Sequence, residues 1–284
     1  MAVRELETTP TLRRLYARAV ATGFGRHGDT LPDLEVVLRG VAVDREHLAA
    51  YAGVCEFRVS DVLPPTYPHV LAFPLAMELM SDRRFPFPVV GLVHVANRVV
   101  QPRPVAADEV LDLHVRACDL RPHAKGVQFD VHAEARSDDE PVWTGVSTYL
   151  RRRDAPETSR SSAPRLPSGS APTAVWHVDA AAGRRYATVS GDRNPIHLHG
   201  IAAKALGFPR AIAHGMWTKA RCLAAFEGRL PDAFTATTAF RAPVTLPSVV
   251  EFSSEQRDDT GWTFEVRDTK RGRLHLAGTL DPKV

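Results

Sequence analysis

The chain has 284 residues, of which 44 % are apolar, so it exceeds one small domain and can bury a real core; two domains or one large unit are expected. Its 36 basic and 33 acidic residues are dispersed and leave a formal charge of only +3, which argues against a nucleic-acid surface. Cys55, Cys118 and Cys222 are isolated, odd in number and without metal-ligand spacing; with no apolar signal core and no run of membrane-spanning length, they point to buried thiols in a cytoplasmic protein.

In chain order, Thr11–Ala21 has the spacing of a short amphipathic helix, and Leu34–Val43 alternates like a strand. Asp44–Cys55 returns to helical spacing, with Asp44 placed as N-cap. Pro64, Pro65 and Pro68 are expected to prevent regular structure, and the apolar run His69–Met80 reads as a buried helix whose first turns are kinked or irregular because of Pro74. From Val89 the period becomes two. Val89–Val100, Val110–Cys118, Val127–Ala135 and Val142–Leu150 read as strands between turns carrying Pro, Asp or Gly. A helix followed by antiparallel strands is an α+β arrangement in which a sheet wraps around one helix. Asp154–Pro172, rich in Ser and Pro, reads as a surface linker.

After the linker the order repeats. Val175–Val178 reads as a strand, Asp179–Thr188 as a helix capped by Asp179, and a second helix begins near Ala213 and stops at Gly228. Strands follow at Phe234–Phe240, Val249–Gln256, Trp262–Asp268 and Leu274–Leu280. Ala50-Tyr51-Ala52 resembles Arg185-Tyr186-Ala187, and Arg98 with Pro104 resembles Arg241 with Pro247, so the chain reads as duplicated: a half over 1–153, a linker over 154–172, and a half over 173–284.

Only the second half carries chemistry. Between Tyr186 and Met216 the turn-type pairs Gly191-Asp192 and Asn194-Pro195 place Asp192 and His197 on an irregular loop. Asn194, standing before proline, is pushed out of the helical region, which lets the carboxylate and the imidazole converge on one water. Downstream, Ala213-His214-Gly215-Met216 opens a buried helix whose free first-turn N–H groups, Gly215 among them, can hold a developing negative charge on oxygen. In the first half Phe73-Pro74-Leu75 stands where Ala213-His214-Gly215 stands in the second.

Tyr186–Ala203, with Ser190-Gly191-Asp192, Asn194-Pro195-Ile196-His197 and a small residue six positions later, resembles the signature of the MaoC-like, (R)-specific enoyl-thioester hydratases. Ala213–Met216 and Phe240-Arg241-Ala242-Pro243-Val244 fit the same pattern, and the whole length is similar to the double hot-dog hydratases and 3-hydroxyacyl-thioester dehydratases of mycobacterial type. The resemblance implies two antiparallel sheets side by side, each wrapped around a central helix. It further implies reversible hydration of a trans-2-enoyl thioester to a (3R)-3-hydroxyacyl thioester in fatty-acid metabolism, with no metal or other cofactor. On this chain it makes Asp192, His197 and the Gly215 amide catalytic, and Asn194, His214 and Phe240 substrate-binding. The expected partner is an acyl-CoA or acyl-ACP substrate, with no nucleic acid and no membrane span, and the two hot-dogs are expected to form a monomer or a homodimer.

Other roles stand beside these. The His214 ring reads as core packing next to a functional backbone, His199 as a loop residue, Trp217 and Cys222 as helix packing, Phe240 equally as strand core, and Arg151-Arg152-Arg153 as a solvated strand end. A non-catalytic acyl-thioester-binding subunit and a hot-dog thioesterase are the alternative functions.

Overall fold

Residues 1–22, 26, 28–152, 171–257 and 261–282 are described by the structure, a computed structural model. The first half comprises β1 (Ala2–Leu6), α1 (Leu12–Thr22), β2 (Leu34–Val41), α2 (Arg45–Cys55), α3 (Tyr67–Ser81), β3 (Leu92–Gln101), β4 (Leu111–His123), β5 (Gly126–Ser137) and β6 (Glu140–Arg152). The second comprises β7 (Ala174–Val178), α4 (Ala182–Ser190), α5 (Pro195–Leu198), α6 (Gly200–Ala205), α7 (Gly215–Ala224), β8 (Phe234–Phe240), β9 (Ser248–Gln256), β10 (Trp262–Asp268) and β11 (Leu274–Asp281). The linker expected over 154–172 lies outside the described residues except for 171 and 172.

Among the described residues eleven strands run in the order β1-β2-β4-β5-β6-β3-β8-β11-β10-β9-β7. The runs β2-β4-β5-β6-β3 and β7-β9-β10-β11-β8 have the same connectivity, so the duplication suggested by the sequence is visible in the topology. They meet where β3 and β8 pair antiparallel from Ala96↔Ala239 to Gln101↔Phe234, and the two expected sheets are therefore one continuous sheet. The matched residues Tyr51 and Tyr186 pack near each other in the core, with ring centroids 6.3 Å apart.

Each half wraps its sheet around one helix. The sequence of α3 is apolar on every side, and all but two of its residues, Tyr67 and Pro68 included, are buried, as a helix enclosed on all faces requires. α7 is buried from Met216 through Ala224. Among these residues is Lys219, fully buried, whose Nζ donates to Asn97 O at 3.2 Å, Asn97 Oδ1 at 2.6 Å and Ala236 O at 2.9 Å. Three acceptors satisfy its donors, and the bonds pin α7 to the β3·β8 seam. No helix among the described residues is long and apolar enough to cross a membrane.

Asp44 caps α2 as expected, its side chain accepting from the Glu46 and His47 amides. Elsewhere the structure corrects the sequence reading. Pro68 does not exclude regular structure; it opens α3, because a first-turn residue needs no N–H partner. Pro74 lies inside that helix without ending it, and the first turns are helical rather than irregular. The cap of α4 is Ala181, not Asp179, which accepts from the Ala181 amide and pairs with Arg185 instead. α7 ends at Ala224, before Gly228, which takes φ +76° in the turns beyond. β1, pairing parallel with β2, went unanticipated because it is short and largely exposed.

Candidate active site

The backbone that presents Asp192 is set by Gly191. α4 closes there in the left-handed conformation, φ +70°, with the Gly191 N–H returning to Ala187 O at 3.1 Å. Space demands glycine as well, because a Cβ at this position would lie 2.2 Å from Leu12 Cδ1. Asn194 is extended at φ −56°, ψ 125°, as a residue before proline should be. Its N–H donates to Asp192 Oδ1 at 3.1 Å, and its own Oδ1 accepts from Ile196 N at 3.4 Å, capping α5. The Asn194 side chain is thereby engaged in the loop itself and lies outside the cavity lining.

His197 sits on the single turn of α5, not on an irregular loop, because Pro195 starts a helix at the point where its predecessor cannot continue one. Its Nδ1 lies 2.8 Å from Ile212 O. A carbonyl only accepts, so the proton is on Nδ1 and Nε2 keeps its lone pair. His214, the N-cap residue of α7, uses Nε2 in the same way, donating to Asp192 O at 2.9 Å. The two rings stack with centroids 3.6 Å apart, and the Tyr186 ring packs on His214 from 4.9 Å. Gly215, the first residue of α7, lies so close to Phe240 that a Cβ would stand 3.1 Å from its ring.

These groups line a cavity of about 1000 Å³ bordered by both halves. Asp192, His197, His214, Gly215 and Phe240 come from the second half; His69, Phe73, His94 and Tyr149 come from the first. Val70, on the same wall, precedes Pro74 by one turn, and the missing N–H of Pro74 leaves the Val70 carbonyl without its helical donor. Aromatic contacts knit the first-half wall to the second: His94 stacks on Tyr149 at 4.7 Å and meets Phe240 edge-on at 5.1 Å. Arg121, Lys125 and Arg152 also line the cavity and give that side basic character.

Burial pushes the His197 imidazole below its ordinary range, against the pull of Asp192 and the Ile212 carbonyl. It pushes His214 down to about 3, with repulsion from His197 adding to the effect. Both rings are neutral at physiological pH. Burial opposes ionisation of Asp192, but His214, His197, the Asn194 amide and the Tyr16 hydroxyl together hold the carboxyl below its ordinary range. The site thus pairs a carboxylate with a neutral imidazole whose free nitrogen is Nε2.

Asp192, His197 and His214 bring one ligand-type atom each within 4.8 Å of the others, a donor set worth testing against a divalent cation. The imidazoles are stacked face to face rather than edge-on to a common point, and tetrahedral ligation needs the latter.

Of the six residues assigned to the site from the sequence, Asp192, His197, His214, Gly215 and Phe240 line this cavity, whereas Asn194 does not. His199 is exposed at the α5–α6 junction, and Trp217 and Cys222 are buried in α7, each as expected. Sequence reasoning missed Tyr16, His69, His94 and Tyr149, which come from distant elements and form no local pattern.

Residues 165–277 match the family described as MaoC like domain. The sequence is 37 % identical to 3-hydroxyacyl-thioester dehydratase X of Mycobacterium tuberculosis over 271 residues, 94 % of this chain and 95 % of that protein. The crystal structure of HtdX from the same organism superposes with a TM-score of 0.78 at 36 % identity, covering 87 % of this chain and 98 % of the other. Another M. tuberculosis protein, solved with a double hot-dog fold, covers 86 % of this chain and 94 % of its own at TM-score 0.52 and 15 % identity. The architecture here is likewise a double hot-dog, α+β in class.

Proposed function

Because the chain belongs to the MaoC-like dehydratase family, we propose that it interconverts trans-2-enoyl and (3R)-3-hydroxyacyl thioesters in fatty-acid metabolism, acting as a carbon–oxygen lyase. One observation carries the reading: a carboxylate oxygen, a free imidazole nitrogen and the N-terminus of α7 border the same cavity.

In the hydration direction, Asp192 and His197 Nε2 hold one water against C3 of the enoyl chain. As its oxygen adds to C3, the pair takes up one proton from the water and passes that proton to C2, so the site ends in the protonation state in which it began. The negative charge that develops on the thioester oxygen in between is met by the Gly215 N–H, an orphan donor of the first helical turn. Dehydration retraces these steps. Asn194 positions Asp192 through its amide, His214 holds the Asp192 carbonyl from behind, and Phe240 with the first-half wall borders the acyl or pantetheine path. The residues in the roles proposed here act without a metal.

On this reading 1–153 is a non-catalytic hot-dog that lends the cavity one wall, 154–172 joins it to the rest, and 173–284 is the catalytic hot-dog. The carrier is coenzyme A or acyl carrier protein, its phosphates matched by the basic side of the cavity, and the working unit is the two-hot-dog monomer or its dimer in the cytoplasm. A panel of enoyl thioesters of increasing length on both carriers tests the proposal. Loss of enoyl absorbance without thiol release is expected. Thiol release would mean hydrolysis, and thermal stabilisation without turnover would mean binding alone; either overturns the reading.

A further inference from the structure

α1 belongs to the half that lacks the Asp-His motif, yet it packs directly on that motif. Leu12 occupies the space a side chain at Gly191 would need. One turn further on, the Tyr16 hydroxyl donates to Asp192 Oδ1 at 3.1 Å and accepts the Arg193 N–H at 2.8 Å. The Asn194 N–H also donates to Oδ1. Among the described residues the hydrogen bonds to the carboxyl group end on Oδ1; Oδ2 stands 3.8 Å from His214 Nε2. At its far end α1 is anchored to α3, where Arg18 donates to Glu78 Oε2 and to Ser81 Oγ, each at 2.6 Å.

We infer that Tyr16 is a positioning residue for the reaction: its hydroxyl fixes the orientation of Asp192, committing Oδ1 to the protein and leaving Oδ2 for water and substrate. The inference rests on the role proposed above for Asp192. Tyr16 lies outside the 165–277 stretch that matches the family, so the first half gives the site a working part that the signature segment does not contain. The hydroxyl keeps its proton, since burial, and after it the Asp192 charge, push the Tyr16 pKa far up; it acts as a donor rather than as an acid. The other titratable groups facing the carboxyl are His197, His214, Tyr186, His69, His94 and Tyr149. Tyr16 alone of these tyrosines and histidines donates a hydrogen bond to a carboxyl oxygen.

The test uses the full chain with Tyr16→Phe, which removes only the hydroxyl, and Leu12→Ala, which loosens α1 on Gly191 and keeps it. Carbon-13 carboxyl NMR, with the Asp192 resonance assigned by its loss in Asp192→Asn, reads the titration directly and needs no turnover. Tyr16→Phe is expected to raise the Asp192 midpoint by about one pH unit, the scale of one lost hydrogen bond to a charged acceptor, and Leu12→Ala to leave it in place. On an enoyl thioester, kcat of Tyr16→Phe is expected to fall roughly tenfold with KM within about twofold. An unmoved midpoint overturns the inference. So does an equal shift in Leu12→Ala, or a Tyr16→Phe chain that melts well below wild type, because either marks a structural role. A wild-type chain that turns over no enoyl thioester would overturn the functional reading instead, while the titration still decides whether Tyr16 holds Asp192.

Discussion

The rings of His197 and His214 lie face to face, 3.6 Å between centroids, and each has one nitrogen committed to a backbone carbonyl, Ile212 O for the first and Asp192 O for the second. Stacking at that distance is tolerable because burial keeps both neutral. They differ in the other nitrogen: His197 lines the cavity with Nε2 free of the Ile212 bond, whereas Nδ1 of His214 is buried without a partner among the described residues. His197→Ala is expected to lower kcat by roughly 10²–10⁴-fold, the range for loss of a general acid–base group. His214→Phe keeps the stack but unties the Asp192 carbonyl, and should cost only about tenfold. Steady-state rates at saturating enoyl thioester check the order, and equal losses from the two variants would contradict it.

Asp192→Asn is nearly isosteric, and its side-chain carbonyl can still accept from Tyr16 and the Asn194 amide. Melting is therefore expected to shift little while kcat falls by roughly 10²–10⁴-fold. A variant that retains wild-type turnover would remove the carboxylate from the chemistry.

The sequence made the short-range geometry legible and left the long-range geometry hidden. Asp192, Asn194, Pro195 and His197 lie within one turn sequence, so backbone rules alone bring them together. The duplicated strand order followed from period-two runs, and α3 from an apolar stretch of helical length, although Pro74 within it suggested a kink. Tyr16 could not be found this way, because it meets Asp192 across 176 residues of chain. His94 likewise reads as an ordinary strand residue until β3 and β6 are paired and Tyr149 stacks on it. Pro68 follows Pro64 and Pro65 closely enough to predict a break in regular structure, yet first-turn positions of helices favour proline, and there it opens α3.

Gly215 is expected to tolerate no side chain. An added Cβ meets the Phe240 ring at 3.1 Å, tighter than ordinary contact, and crowds the amide assigned to the thioester oxygen. Gly215→Ala should destabilise by about 1–3 kcal/mol through overpacking and lower kcat by roughly 10²–10³-fold, the cost typical of a lost oxyanion donor. Adding Phe240→Leu relieves the crowding and is expected to recover the melting temperature but only part of the rate. Full recovery of both would show that Gly215 serves packing alone.

Lys219 offers a test of the seam. Lys219→Met fills the volume but leaves Asn97 O, Asn97 Oδ1 and Ala236 O without their donor. Each buried acceptor left unmet costs about 1–3 kcal/mol, offset by no longer burying an amine whose pKa burial already drives far down. A net loss of a few degrees in melting temperature is expected, with kcat per folded molecule retained. A gain in stability would mean that desolvating the amine outweighs its three bonds.

Acid should act on stability before it acts on chemistry. Burial disfavours the charged imidazoles and pushes His69 down to about 4 and His94 and His214 down to about 3 in the folded chain, against about 6.5 when unfolded. Below about pH 6.5 the unfolded chain therefore binds more protons than the folded one, so stability is fully present above that pH and declines as pH falls toward about 3–4. The proposed mechanism needs Asp192 ionised and His197 neutral, and both pKa values are held below their ordinary ranges. The acid limb of kcat for the folded fraction should consequently lie below the ordinary imidazole midpoint of about 6.5, inside the window in which melting temperature already declines. Melting curves and initial rates in one buffer series separate the two. A melting temperature that stays flat down to about pH 4.5 would show that the buried histidines are not held neutral.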